Sequence, residues 1–324
     1  STPRRDFLKK SALAGASLVT PWHQVVPKFS PVSASEANAS PSIDRIEPVI
    51  LKWVKALEST PRDRLVEEVA YAIKNGKVSY REILCALFLS AVKHVQPRPS
   101  VGFKFHAVLV VHSAHLASIN SPAQDRWLPI LWAIDQFKSA QARDVREGNW
   151  TMAAVEESRV PSAVKAAKEF EAAMITWDET RADTASAGIA RHLTKNMAFE
   201  LFAKFAARDY RSIGHKAIYV ANAFRTLDVI GWQYAEPILR SLAYALLNHV
   251  GDSNPAKSNH TVDEPWKQNS TLAQRLPQDW VEGETVKGIT SEIVTGFREW
   301  KPLEAGKEIA ELLNGQVSLQ AVVD

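Results

Sequence analysis

Apolar residues recur at intervals of three and four along most of this 324-residue chain. This spacing places them on one face of an α-helix, which turns once every 3.6 residues or so. The clearest stripe is formed by Ile46, Val49, Ile50, Trp53, Val54 and Leu57. Glycine is scarce, with 13 residues, and alternating β-branched stretches are few. The pattern therefore predicts a mainly helical protein.

Capping residues and breaks divide this pattern into separate helices. Ser79 and Glu82 have the spacing of a capping box, which predicts a helix from Ser79 to about Lys93. Other helices are predicted from near Ile43, after Pro61, and at 102–118, 126–147, 162–176, 179–193, 196–208, 214–230, 235–249, 288–299 and 303–313. Their short connections favour antiparallel helix pairs. We expect an all-α fold in which these pairs pack as one helical array or short solenoid.

Two stretches between the predicted helices are long, polar and marked by proline or glycine. They cover residues 148–161 and 251–270. Loops of this length in a helical domain are often lids or binding loops. A surface insertion without a role in the site is the alternative for each.

Two segments of the chain resemble each other. One starts at Phe105 and the other at Gly214, and each reads as a helix, a short loop and a second helix with proline in its first turn. In this alignment His106 corresponds to His215, and Leu-Pro-Ile-Leu near 130 corresponds to Glu-Pro-Ile-Leu near 238. The similarity predicts a two-fold internal repeat of a helical pair, with chance similarity between amphipathic helix pairs as the alternative.

The N-terminus carries an export motif. Arg-Arg-Asp-Phe-Leu-Lys begins at Arg4, and an apolar run of small residues extends from Ala12 to Val19. This resembles the twin-arginine (Tat) signal, in which two arginines are followed by any residue and then by Phe-Leu-Lys. The run is too short for a stable membrane anchor, and 37–39 or, alternatively, 32–34 reads as a cleavage site. An ordinary basic amphipathic helix is the other interpretation.

The resemblance implies that the Tat machinery exports the folded chain, to the periplasm or out of the cell. Residues 1–39 are then the signal peptide and tether, and residues 40–324 form a single all-α domain. Many Tat passengers fold around a cofactor before export. Cys85 is the one cysteine of the chain, so packing and not an intrachain disulfide has to stabilise the exported body.

Charge argues against a nucleic-acid partner. The chain has 39 basic and 36 acidic residues, and residues 1–39 hold five and two of them, which leaves 34 of each in the rest. No basic run that could follow a phosphate backbone remains. No later stretch approaches about twenty continuous apolar residues, so no transmembrane anchor is expected in the mature chain. The motifs HExxH, GxSxG, GxGxxG, CxxC and the Walker loop are absent.

The histidines of the predicted helix 102–118 are the main functional signal. The stretch HAVLVVHSAH carries His106, His112 and His115 among apolar residues. His112 and His115 are three positions apart, so they share one face of the helix and can share a ligand. With His215 from the aligned helix and Asp135 from the next one, they are candidate ligands for iron, copper or zinc.

Without a metal, the same helices could supply acid–base chemistry. Histidine titrates near neutral pH, and His106 is a candidate general acid or base. Tyr219 lies on the same stripe as His215 and could donate a hydrogen bond to a developing oxyanion. Each histidine also has a structural interpretation, as a core residue bonded to a backbone carbonyl.

The stretch IGHKAIYVANAFRTL at 213–227 resembles the questin-oxidase-like helical proteins, and this implies oxidation of an aromatic or polyketide-like small molecule. The predicted function is an exported, metal-dependent helical enzyme with its site between helices 102–118 and 214–230. An oxidoreductase is favoured over a hydrolase because Tat passengers often carry redox cofactors. The alternative is a non-catalytic binding or scaffold protein with structural histidines.

Overall fold

The structure, a computed structural model, describes residues 47–97, 103–208, 214–247, 254, 257–286, 289–299 and 301–323. The predicted signal peptide and tether lie outside these ranges. The described residues form α-helices joined by turns and loops and contain no β-strand, apart from one isolated bridge between Glu284 and Val317. The prediction of an all-α helical array is confirmed.

The helices of the described residues are numbered here in chain order. They are α1 Pro48–Ser59, α2 Arg62–Lys74, α3 Tyr80–His94, α4 Phe103–Asn120, α5 Leu128–Glu147, α6 Ala163–Thr176, α7 Glu179–His192, α8 Lys195–Ala206, α9 His215–Ile230, α10 Ala235–Leu246, α11 Glu264–Ala273, α12 Ile289–Arg298, α13 Pro302–Asn314 and α14 Leu319–Val323. Short 3-10 turns lie at Ala123–Asp125, Glu157–Arg159, Trp232–Tyr234 and Thr261–Asp263.

Helix starts follow the capping signals of the sequence. The hydroxyl of Ser79 accepts a hydrogen bond from the backbone N–H of Glu82, and the Glu82 carboxylate accepts one from the N–H of Ser79. The predicted capping box is therefore present at the start of α3. Asp178 and Thr194 cap α7 and α8 through similar side-chain bonds.

Two helices form the centre of the main apolar core. Every residue of α3 from Ile83 to Val92 is buried, and α10 is buried along almost its whole length. Helices α1, α4, α5, α9 and α10 pack around α3, because a helix that is apolar on all sides needs cover on all sides. Cys85 lies in this run, and burial raises the pKa of its thiol to about 12, as expected for an unreactive core cysteine.

A second, smaller apolar cluster lies in the C-terminal helices. Its buried members are Ile293, Val317 and Ala321, and it is separate from the core that α1 to α10 share. Part of the stretch 251–270, which we expected to be a loop, is helical here: α11 starts at Glu264. Pro265 lies in the first turn of α11, where the N–H that proline lacks would have no partner inside the helix. The sequence analysis did not predict this helix because its residues are mostly polar.

Ion pairs join consecutive helices: Glu169 of α6 pairs with Arg181 of α7, and Lys195 of α8 pairs with Asp228 of α9. Helices α4 and α9 meet at two contacts, His106 with His215 and Leu109 with Asn222, whose residue numbers rise together along the interface. They therefore run parallel, side by side, as the histidine contact below also shows.

The two segments predicted to repeat share their local structure. In each, a long helix is followed by a 3-10 turn and a second helix with proline in its first turn, at Pro129 and Pro237. Their packing differs, because α5 packs mainly on α4, whereas α10 packs mainly on α7. The similarity therefore extends to the shape of each segment and not to the neighbours of its second helix.

The loop 148–161 is held against the helical body by several polar contacts. The Asp144 carboxylate accepts hydrogen bonds from the backbone N–H groups of Gln96 and Trp150. The N–H of Met152 donates to the carbonyl of Lys93 at 2.9 Å. Further along, Arg191 pairs with Glu157, and Arg240 donates to the carbonyl of Ala153. This segment is therefore an anchored part of the fold.

Candidate functional site

Histidines from α4 and α9 meet where the two helices pack side by side. The rings of His106 and His215 stand edge to face, with centres 5.4 Å apart and planes at 67°. Both side chains are partly exposed. The side-chain amide of Asn222, two turns beyond His215, donates to the carbonyl of Leu109, one turn beyond His106, at 3.1 Å and ties the two helices together. We call this contact the histidine pair, meaning His106 and His215.

A second group lies further along α4. The ring centres of His112 and His115 are 5.9 Å apart, which confirms that the two residues share a face of the helix. The Tyr80 hydroxyl, at the start of α3, lies 3.0 Å from Nδ1 of His115, and Tyr80 also packs against the ring of Trp127. We call Tyr80, His112 and His115 the tyrosine–histidine cluster.

Burial affects the protonation of this cluster. Burial, the neighbouring ring of His115 and the charge of Arg225 lower the pKa of His112, and Asp228 opposes them. Burial likewise lowers the pKa of His115 and raises that of the Tyr80 hydroxyl. All three shifts favour the neutral form of the side chain.

His112 also has an unsatisfied ring nitrogen. Its side chain is 7% exposed, and Nδ1 is buried with no hydrogen-bond partner among the described residues. A buried polar atom without a partner costs about 1–3 kcal/mol, so this nitrogen carries a cost that a hydrogen-bonding partner would relieve. The neutral imidazole favoured here can act as a base.

The structure gives Asp135 and Tyr219 partners inside the protein. Both carboxylate oxygens of Asp135 accept hydrogen bonds from the guanidinium of Arg62, each at 2.6 Å, and this pairing lowers the pKa of Asp135. Tyr219 is completely buried, and its hydroxyl shares a 2.7 Å hydrogen bond with Ser241 of α10. Burial raises the pKa of Tyr219 well above its usual range. These contacts stabilise the packing of α2 on α5 and of α9 on α10.

The predicted metal ligands are therefore distributed over three places. His112 and His115 lie together, His215 lies against His106, and Asp135 lies against Arg62. Within the described ranges, no three histidine, cysteine or acidic side chains are grouped so that they could hold one ion. The assignment of these side chains as ligands or catalysts stays a prediction.

The geometry of the histidine pair is that of an edge-to-face aromatic contact, with ring centres 5.4 Å apart. Imidazole nitrogen is a ligand for zinc, iron and copper, so His106 and His215 are the residues that would hold an ion at this interface. Such an ion would supply Lewis-acid or redox chemistry there.

The sequence analysis did not find Tyr80 or Arg225. Tyr80 follows the capping residue of α3, so its position in the helix was clear, but nothing in its spacing links it to His115. Arg225 reads as an ordinary exposed residue of α9, and only the packing of α4 on α9 brings its charge near His112.

Comparison with known proteins gives no relative from which a site can be transferred. No protein family, no curated protein and no solved structure matches the chain. In the part of the chain that the structure describes, every helix is too short or too polar to cross a membrane. The class that the structure defines is an all-α helical array with histidines at its α4–α9 interface.

Proposed function

We propose that this chain is a Tat-exported, metal-dependent enzyme that acts on a small molecule at the α4–α9 interface, and that it is an oxidoreductase rather than a hydrolase. The contact between His106 and His215 is the observation that carries the proposal, because it joins two histidines that are distant in the chain. His106 then serves as a ligand beside His215, and not as the acid or base that the sequence suggested.

Imidazole nitrogen is a ligand for iron, copper and zinc, so the histidine pair fits all three. Iron or copper bound there would supply electron transfer or oxygen chemistry, and zinc would supply Lewis-acid chemistry. The protein residues hold the site in place: Asn222 ties α9 to the backbone of α4 between the histidine pair and the tyrosine–histidine cluster.

Elemental analysis of the tag-free exported chain tests this proposal. We expect about one iron, copper or zinc ion per chain. The variants His106→Gln and His215→Gln should each lose it, whereas His260→Gln, at an exposed position, should keep it. Circular dichroism controls for folding. A chain without metal, or metal retained in both interface variants, overturns the proposal.

A second candidate function is acid–base catalysis without a metal at the tyrosine–histidine cluster. The buried, unbonded Nδ1 of His112 favours it. A screen of ester and aromatic-oxidation substrates, with and without a chelator, separates the two candidates. Activity that survives chelation and falls in His112→Gln and Tyr80→Phe assigns the chemistry to the cluster.

The competing class is a non-catalytic binding or scaffold protein. The internal partners of Asp135 and Tyr219 favour it, because both side chains are already used in helix packing. This class is supported if the elemental analysis finds no metal in the wild-type chain and the substrate screen finds no turnover with or without the chelator.

Export is tested separately with the Tat motif. Replacing Arg4 and Arg5 together by lysine should leave the protein in the cytoplasm, because the resemblance rests on the arginine pair. Lys10→Gln is the matched control and should be exported normally. Export of the double variant to the same level as the control contradicts a Tat signal.

A further inference from the structure

The described part of the chain has a cavity that none of the histidines of α4 and α9 lines. It has a volume of about 240 Å³ and lies between α1, α3, the loop 148–161 and the start of α10. Its walls include Leu51, Val54, Leu89, Met152 and Pro237. They are aliphatic, with no aromatic ring among the described lining residues, so the cavity suits a flexible hydrocarbon chain better than a flat ring system.

Lys93 is the one ionisable residue among the described residues that line this cavity. It lies near the end of α3, and 46% of its side chain is exposed. The amine donates one hydrogen bond to Glu58 at 2.9 Å. Because an ammonium group has three donors, it can also bind an anionic group at the mouth of the cavity.

Hydrogen bonds hold the loop that forms one wall of the cavity. The carbonyl of Ala153 accepts a hydrogen bond from Arg240, which is completely buried and held by Asp183 through both carboxylate oxygens. The N–H of Met152 is bonded to the carbonyl of Lys93. A ligand would therefore enter a preformed cavity, without the cost of ordering a loop.

We propose that this cavity binds the hydrocarbon tail of an aliphatic carboxylate of medium length, with the carboxylate at Lys93. Aliphatic walls select the tail, and the Lys93 ammonium, which pairs with Glu58 in the free chain, binds the anionic head group with its remaining donors. The volume of the cavity, about 240 Å³, limits the length of the hydrocarbon tail that it can hold. This site is independent of the proposed metal site and uses none of its residues.

Titration calorimetry of the full chain with octanoate tests the proposal. We expect one molecule per chain, with affinity rising about fourfold for each added methylene from pentanoate until the cavity is full. Octan-1-ol and octylammonium, which share the tail, should bind at least about tenfold more weakly. Absence of saturable octanoate binding, or equal binding of octan-1-ol or octylammonium, overturns the proposal.

Two variants locate the binding site. Lys93→Met should weaken the binding of octanoate about tenfold and leave the binding of octan-1-ol unchanged. Lys55 is an exposed lysine of α1 outside the lining, so Lys55→Met is the matched control and should change the binding of neither compound.

Leu51→Trp should fill the cavity and abolish octanoate binding, and Val145→Trp, at an exposed position, is its control. Circular dichroism confirms folding of each variant. Unchanged octanoate affinity in a folded Leu51→Trp variant places the ligand elsewhere and overturns the proposal.

Discussion

The rings of His106 and His215 stand edge to face with centres 5.4 Å apart, and this contact joins α4 to the parallel helix α9. A metal ion held by both rings binds the folded chain better than the unfolded one and so stabilises it. At a zinc concentration one hundred times Kd, the free energy of unfolding should rise by about 2.7 kcal/mol. Thermal unfolding with zinc and with a chelator measures the effect.

The controls for this prediction lie on the same helix. His106→Gln should remove the zinc-dependent rise in Tm, whereas Ser113→Ala, an exposed change on α4, should keep it. If His106→Gln and His215→Gln both unfold with the zinc dependence of the wild type, the ion binds elsewhere.

Stability should fall at acidic pH through His112. Burial, the ring of His115 and the charge of Arg225 lower the pKa of His112 in the folded state, against the opposing effect of Asp228. The unfolded chain then binds the proton more tightly, so the contribution of His112 to stability is fully present above its unfolded pKa of about 6.5. It is lost as the pH falls below that value towards the folded pKa.

Urea unfolding between pH 7.5 and 5.0 measures this dependence. His112→Gln should flatten the fall in the free energy of unfolding, and the exposed His260→Gln should leave it as in the wild type. Equal slopes for the wild type and His112→Gln would show that His112 does not titrate differently on folding.

Most of the helix limits could be predicted because they depend on local signals. The predicted range 162–176 is observed as α6 Ala163–Thr176, and 214–230 as α9 His215–Ile230. These helices carry an apolar stripe with a cap or a break at each end. Helix α11 was not predicted at all, because its residues are polar and no apolar stripe marks it.

The arrangement of the site could be predicted only in part. The sequence analysis selected α4 and α9, and these two helices do lie side by side. Periodicity shows which face of a helix is apolar but not which helix packs against that face. The pairing of Asp135 with Arg62 and of His115 with Tyr80 therefore could not be predicted. Arg62 and Tyr80 are distant in the chain from these partners, and neither belongs to a sequence motif.

The buried ion pair between Arg240 and Asp183 should be far more important for stability than an exposed one. Arg240 is completely buried and binds both carboxylate oxygens, at 2.8 and 3.0 Å. Arg240→Met leaves the Asp183 charge buried without its partner and should lower the free energy of unfolding by about 3–5 kcal/mol. Arg62→Met, which breaks the exposed pair with Asp135, should cost about 0–1 kcal/mol.

Urea denaturation of the two variants at neutral pH compares these effects. The double variant Arg240→Met, Asp183→Leu should recover part of the loss because no charge stays buried. Losses of the same size for Arg240→Met and Arg62→Met would mean that water reaches Asp183 when Arg240 is removed.

Gly188 allows the end of the loop 148–161 to pack closely on α7. A Cβ at this position would lie 2.9 Å from the carbonyl oxygen of Pro161 and 3.0 Å from its Cγ, and both atoms belong to a stiff residue. Gly188→Ala should therefore lower the free energy of unfolding by about 1–3 kcal/mol, although alanine is the better helix former. Gly296→Ala in α12 is the matched control, because its Cβ would meet Ala305 at an ordinary 3.6 Å. The Gly296→Ala variant should raise the free energy of unfolding by about 0.5–1 kcal/mol.

Thermal and urea unfolding measure the effects of both glycine substitutions. A stabilising effect of Gly188→Ala would show that Pro161 can move away from α7 at little cost.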